Sequence, residues 1–206
     1  MKLFRFLIAA LLIPVAQAQE LAPDVLVKTI TEEVSAILKQ DKDIQAGDTK
    51  KVADLIETKV VPHFNFLRMT RIAMARNWRS TSPEQQKELA SEFKTLLVRT
   101  YSTAISNYRD QKIDYKPLRA KPEDTEVTVK SEVKQAGSTQ PVSIDYEMEK
   151  TPNGWKVYDV KVGGVSLVTT YRDTFASEVK DNGVDGLIKS LAAKNRQGER
   201  VKSGKS

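Results

Sequence analysis

The chain has 206 residues, with 33 Lys and Arg against 27 Asp and Glu for a formal net charge of +6, a single His, no Cys and 40% hydrophobic residues. The absence of cysteine excludes a disulfide framework, thiolate metal sites, iron–sulfur clusters, a cysteine nucleophile and a lipidated cysteine anchor, and one His leaves histidine metal sites short of ligands. The apolar content suits one folded domain rather than wholesale disorder.

Lys2 and Arg5 open the chain, an apolar run follows from Phe6 to Val15, and Ala16-Gln17-Ala18 supplies small residues at a cleavage position. That tripartite pattern predicts a secretory signal peptide over residues 1–18. A membrane anchor needs about 20 apolar residues, and this run is about half as long. The mature chain is therefore expected to be soluble and outside the cytoplasm, as a single domain over residues 19–193 with a basic, disordered tail over 194–206. The positive excess is concentrated in residues 189–206, where Lys189, Lys194, Arg196, Arg200, Lys202 and Lys205 face only Glu199. Such a segment reads as a chain end, and secondarily as a weak tether to anionic membrane. Export contradicts a nucleic-acid partner.

Val27, Ile30, Val34, Ile37 and Leu38 recur at helical spacing, as do Val52, Leu55, Ile56 and Val60 after the turn at Gly47-Asp48. Pro62 ends the second helix, and an apolar and basic stretch runs from Phe64 to Trp78. Ser82-Pro83-Glu84-Gln85 combines an N-cap, a Pro at the first helical position and a Gln three residues after the cap, which together make a capping box. The long helix it starts carries the stripe Leu89, Phe93, Leu96, Leu97, Tyr101, Ala104, Ile105 and Tyr108.

From about residue 112 the period changes to two. Val127, Val129 and Val133 alternate with Thr128, Lys130, Glu132 and Lys134, and Val142, Ile144, Tyr146 and Met148 alternate with Ser143, Asp145, Glu147 and Glu149. Turns at Ala136-Gly137-Ser138 and Pro152-Asn153-Gly154 connect these strands to a last one, Trp155 to Val162, and Lys112 to Leu118 adds another. In the last strand Trp155 and Val157 fall on one parity and Tyr158, Val160 and Val162 on the other, which requires a bulge or burial on both faces. After Gly163-Gly164, the residues Val165, Leu167, Val168, Tyr171 and Phe175 lead into a helix, and Gly183 and Gly186 bracket a further one carrying Leu187, Ile188 and Leu191. The pattern predicts an α+β domain with helices on one face of a roughly four-stranded antiparallel sheet. Periodicity leaves open whether the inward apolar residues fill a core or line a hollow.

No catalytic or nucleotide motif is present. Gly164-Val165-Ser166-Leu167-Val168 lacks the final Gly of a nucleophile elbow, and there is neither a P-loop nor a G-x-G-x-x-G string. His63, between Pro62 and Phe64, reads as a loop or cap residue, and the carboxylates lie on polar parities.

Residues 64–101, FNFLRMTRIAMARNWRSTSPEQQKELASEFKTLLVRTY, and 155–175, WKVYDVKVGGVSLVTTYRDTF, carry an ordered set of features. These are F-x-F followed by Met69, Arg76-x-Trp78-Arg79, S-P-E-Q-Q, Phe93-x-x-Leu96-Leu97, Tyr101, W-x-V-Y-D-V, G-V-S-L-V and Tyr171-Arg172-x-x-Phe175. In that order they resemble the MlaC, or toluene-tolerance, family of periplasmic phospholipid carriers of Gram-negative bacteria. The resemblance implies an NTF2-like or cystatin-like fold enclosing an apolar pocket. It implies a monomeric periplasmic shuttle, without catalysis or cofactor, whose cargo is phospholipid. Its partners would be an outer-membrane lipoprotein–porin complex and an inner-membrane ABC transporter with its periplasmic substrate-binding subunit, and its role would be to maintain outer-membrane lipid asymmetry. The chain departs from the family at Asn65, where Asp is common, and at Ala75, where Gly is common.

On that reading the pocket is expected to be lined by Phe66, Met69 and Ile72, by Phe93, Leu96, Leu97 and Tyr101 of the long helix, by Val129, Ile144, Tyr146 and Met148 of the sheet, and by Val165, Leu167, Val168, Tyr171 and Phe175. Arg99 and Arg172 are candidate partners for a head-group phosphate. Two other readings remain: an NTF2-like acid/base enzyme acting on a small apolar molecule, favoured by a buried carboxylate beside a Tyr, and a non-catalytic envelope adaptor, favoured by an exposed apolar patch.

Overall fold

The computed structural model describes residues 21–106, 111–134 and 140–203, with side chains described as far as residue 197. The expected signal peptide, the turn at Ala136-Gly137-Ser138 and Tyr108 lie outside the described residues. Pro23 starts α1 (Pro23–Gln40), which buries Leu26, Val27, Val34 and Leu38 along one stripe. Asp41 and Asp48 cap the next two helices, α2 (Lys42–Gln45) and α3 (Thr49–Lys59), each accepting two main-chain N–H groups on its Oδ1.

Asn65 caps α4 (Phe66–Met74) by accepting the Arg68 N–H at 3.0 Å. A 3₁₀ segment, Ala75–Ser80, follows. It begins at Ala75, the one non-glycine residue with positive φ among those described (φ 48°, ψ −123° at the end of α4). The conformation is one that glycine adopts without penalty, so the alanine present here carries backbone strain. The helix α5 (Pro83–Ser106) starts on the expected capping box: Ser82 Oγ accepts the Gln85 N–H at 3.2 Å, and Gln85 Oε1 accepts the Ser82 N–H at 3.0 Å.

The sheet is antiparallel, in the order β1 (Lys112–Tyr115), β2 (Glu126–Lys134), β3 (Val142–Thr151), β4 (Gly154–Val162) and β5 (Val165–Ser166). It therefore has five strands rather than four. The extra strand is the two-residue β5, which folds back on β4 after Gly163 and Gly164, both at positive φ. The first strand stops at Tyr115, and Leu118 packs against the sheet core from the loop beyond it.

The broken alternation in β4 is a bulge. Val157 opposes Met148 and Asp159 opposes Glu147, so Tyr158 is the inserted residue and the apolar parity switches across it. Asn65 donates its main-chain N–H to Val157 O at 2.8 Å, and Phe64 bridges to Val157. That contact and β5 together shield the outer edge of β4.

The last helix, α6 (Arg172–Ser203), is broken at Gly183 (φ 71°, ψ 179°), close to the expected junction between two helices. It runs to Ser203, into the segment expected to be a disordered tail, of which residues 204–206 lie outside the described ones. A clasp onto α5 holds its residues 194 and 195: Arg99 Nη1 donates to the carbonyls of Lys194 and Asn195, and the buried Asn195 donates to Glu92 O at 3.0 Å and Glu92 Oε2 at 2.7 Å. These long-range bonds do not show in a composition that reads only as basic.

The buried residues form three clusters. One joins α4, α5 and α6 around Met69, Met74, Leu89, Phe93, Phe175 and Leu187. A second joins α1 to the inner face of the sheet through Leu26, Val27, Val129, Met148, Trp155 and Val157. The third joins α1, α2, α3 and α5. Phe64 touches the first two clusters and Ile30 the last two, so these residues mark the seams between them.

Candidate functional site

Residues opposite one another across β2, β3 and β4 share a face, which places Val127, Val129, Ser131, Ile144, Tyr146, Met148, Val157, Val160 and Val162 together. Burial is uneven along this face. Val129 and Met148 are buried under α1, Ile144, Tyr146 and Val160 are half-buried, and Val162 is 37% exposed. The half-buried end adjoins β5 and the segment after it, since Leu167 N–H donates to Val160 O at 2.8 Å.

On the helical side, Phe93 stands at the centre of an aromatic group. The Tyr171 ring meets it edge-on at 5.0 Å, and the Phe175 ring does so at 5.1 Å. Phe66, Ile72, Leu96, Tyr101 and Tyr171 surround this cluster and keep partial access to solvent. Burial, followed by the neighbouring Tyr171 phenol, pushes the Tyr101 hydroxyl up to about 12, so it stays protonated and able to donate.

The residues expected to line one pocket therefore divide. Met69, Phe93, Leu97, Val129, Met148, Val168 and Phe175 are buried in packed clusters, and Leu167 is half-buried. Phe66, Ile72, Leu96, Tyr101, Ile144, Tyr146 and Tyr171 are half-buried, and Val165 is 57% exposed on the edge strand. Helical and strand periodicity report which face a residue occupies, not how closely the opposite layer approaches, so the two sets look alike in sequence. Two surface hollows are polar. One of about 620 Å³ lies on the outer face of the sheet, lined by Lys116, Arg119, Glu126, Lys130, Glu147 and Tyr158 among others. The other, of about 390 Å³, lies between α1 and β1 beside Thr31, Ser35, Gln111 and Tyr115. None of the expected lining residues borders either of these two hollows.

Sequence reasoning missed a polar clamp between α4 and the sheet. Arg68 Nη1 donates to Glu149 Oε2 at 2.6 Å, and Nη2 donates to Glu126 Oε1 at 2.7 Å. The Arg68 guanidinium carbon lies 3.5 Å from the centre of the Tyr158 ring, whose hydroxyl donates to Glu126 Oε2 at 3.2 Å. Asn65 Nδ2 completes the group by donating to Glu149 Oε1 at 2.7 Å. Burial and the Glu126 charge push the Tyr158 hydroxyl up to about 12. The signal available in sequence was the Asn at an Asp position, which here donates to a carboxylate that Asp would repel.

Neither candidate phosphate partner is fully available. Arg99 belongs to the clasp on α6, and Arg172 Nε donates to Ile72 O at 3.0 Å. The buried carboxylate is Asp159, whose Oδ1 accepts the N–H groups of Val160 at 2.8 Å and Val168 at 3.3 Å. It anchors the chain after β5 and gives no support to acid/base chemistry. Among the described residues no group of three or more His, Asp and Glu could hold a metal ion, and no helix is long and apolar enough to cross a membrane.

These features define the class: an α+β domain whose helices cover one face of an open antiparallel sheet, with apolar clusters between the layers. The chain belongs to the MlaC family, whose model, described as "MlaC protein", matches residues 28–193. The "Intermembrane phospholipid transport system binding protein MlaC" of Haemophilus influenzae is 21% identical over 188 residues, which cover 90% of this chain and 88% of its own length. The "Toluene tolerance protein ttg2D" of Pseudomonas putida is 26% identical over 165 residues, covering 79% of this chain and 75% of its own. A solved structure of the phospholipid-binding protein from Ralstonia solanacearum, in complex with a phospholipid, superposes with a TM-score of 0.77 at 44% identity, covering 84% of this chain and 97% of that one.

Proposed function

We propose that this protein is a soluble periplasmic phospholipid carrier that shuttles lipid between an outer-membrane lipoprotein–porin complex and an inner-membrane ABC transporter, and so maintains outer-membrane lipid asymmetry. The observation that carries the reading is the match along almost the whole length of a phospholipid-bound structure at 44% identity. The physical requirement agrees with it. Two acyl chains carry about 30 methylenes, and at about 0.8 kcal/mol each a carrier must offset about 25 kcal/mol of hydration penalty. Only an apolar interior can do so.

The cargo enters along the seam marked by Phe64, between the helical cluster and the inner face of the sheet. Half-buried Phe66, Leu96, Tyr101 and Tyr171 lie on one side, and Ile144, Tyr146 and Val160 on the other. Phe93, Phe175, Val168 and Met148 are framework beneath them. Separation of the layers without loss of either cluster would open the pocket, and the polar head group would remain at the solvent end near Val162 and Val165.

Mature protein purified from a Gram-negative host should carry about one phospholipid per chain, read by native mass spectrometry and by lipid extraction. Protein that is consistently empty and takes up no lipid from vesicles refutes the reading.

A further inference from the structure

The apolar and basic stretch after α3 has a charge distribution that cargo binding does not use. No Asp or Glu occurs between Glu57 and Glu84, and this interval holds Lys59, Arg68, Arg71, Arg76 and Arg79. The fold divides these residues sharply. Lys59 pairs with Glu33, and Arg68 takes both Glu149 and Glu126. Arg71, on the outer face of α4, and Arg76 and Arg79, on the 3₁₀ segment, are exposed and make no ion pair or side-chain hydrogen bond.

Arg172 joins them from the start of α6, because its Nε bond to Ile72 O fixes it beside α4, and Asp173 next to it pairs with none of the four. Leu67, one helical turn before Arg71 on the same face of α4, is 48% exposed.

From this placement we infer that the surface of α4, the 3₁₀ segment and Arg172 docks the protein on the anionic head groups of a phospholipid bilayer. Four cations with no carboxylate partner make a local positive field, which a plane of anionic phosphates attracts. The choice of a bilayer over an acidic protein rests on the side chains themselves. Among the described residues Arg71, Arg76 and Arg79 have no ion-pair or hydrogen-bond partner to fix their side chains, and the exposed Leu67 beside them offers an apolar contact. A protein anchor gains affinity from side chains fixed in advance, whereas a fluid sheet of phosphates needs only charge near its plane. The inference does not rest on the carrier reading, since protein without cargo presents the same arginines.

The test is co-sedimentation of the full mature chain with vesicles. The wild type should bind vesicles of phosphatidylcholine with about 30% phosphatidylglycerol and not vesicles of phosphatidylcholine alone, with attraction of roughly fivefold per surface cation. Binding should be present at about 50 mM salt and lost at about 0.5 M. The triple substitution Arg71→Gln, Arg76→Gln, Arg79→Gln should lower affinity roughly a hundredfold. Removal of the same charge from the outer face of the sheet by Lys112→Gln, Lys130→Gln, Lys134→Gln should leave affinity within about fivefold of wild type. Replacement of the three arginines by lysine should retain binding within about threefold, because a bilayer reads charge rather than fork geometry. Failure of the wild type to bind anionic vesicles, an unaffected glutamine triple, an equal loss in the sheet control or a collapse of binding in the lysine triple each overturns the inference, the last by pointing to a shaped acidic protein surface.

Discussion

Phe93 and Ile144 both carry apolar side chains facing the space between the layers, and the proposed carrier function gives them opposite roles. Phe93 is completely buried, with two aromatic rings packed on its edges. Phe93→Ala leaves a cavity inside the helical cluster and should destabilise the protein by about 3–5 kcal/mol. That is a large share of a total stability of about 5–15 kcal/mol. Ile144 is half-buried opposite Val162, which is itself 37% exposed. In Ile144→Glu the carboxylate can turn towards water in the empty protein, so the cost to folding should stay near 1 kcal/mol. Against acyl chains the same carboxylate lacks partners, at a cost of at least about 3 kcal/mol, or roughly a hundredfold in retention. The assay pairs urea denaturation of delipidated protein, since bound lipid itself raises stability, with native mass spectrometry after reloading at limiting phospholipid. A Phe93→Ala protein that keeps wild-type stability but sheds its lipid, or an Ile144→Glu protein that unfolds, refutes the division between framework and cargo surface.

Ala75→Gly should stabilise the protein by about 1 kcal/mol, because relief of about 1–3 kcal/mol of strain at φ 48° outweighs the extra freedom of glycine in the unfolded chain; a lower urea midpoint would contradict this. Asn65→Asp preserves the cap on α4 but replaces the 2.7 Å bond to Glu149 by two facing carboxylates. It should cost about 1–3 kcal/mol at neutral pH and recover as acid protonates one of the pair, and an Asp variant as stable as wild type at about pH 7 would dismiss the clamp. Burial, followed by the Lys156 charge, holds the His63 imidazole below its ordinary 6.5, so the unfolded chain takes up that proton more readily than the folded one. Stability should therefore fall as pH drops below about 6.5, and His63→Gln should flatten that part of the slope in denaturation series from about pH 7.5 to about pH 5; an unchanged slope removes His63 as its source.

What was legible in the sequence was local. The capping box needs only Ser82 and Gln85, and both reciprocal bonds form as the spacing predicts. The alternation in β2 and β3 marks the inner face of the sheet because one side is buried. The conflict of parity in β4 was visible, but its resolution depended on how Met148 and Glu147 pair across the strand boundary. The Arg68 clamp joins residues 58 and 81 positions apart, and the α6 clasp joins residues more than ninety apart, as |i−j| of 95 to 103. No periodic pattern encodes such partners. For the same reason the sequence could not separate Phe93 from Ile144: each lies on the correct face of its own element, and the spacing between layers decides the rest.

The α5–α6 clasp and the start of α1 carry a further consequence, for where this protein can be cut. The region recognisable by family similarity runs over residues 28–193. Leu26 and Val27 pack on the sheet before that region begins, and Asn195 is buried after it ends. Trimming the chain to the recognisable region would uncover Val129 and Met148 at one end and deprive Arg99 and Glu92 of their partners at the other. The unit that folds is thus wider than the span that the family model matches. A truncation to that span would remove two of the contacts that fasten the helices to one another and to the sheet.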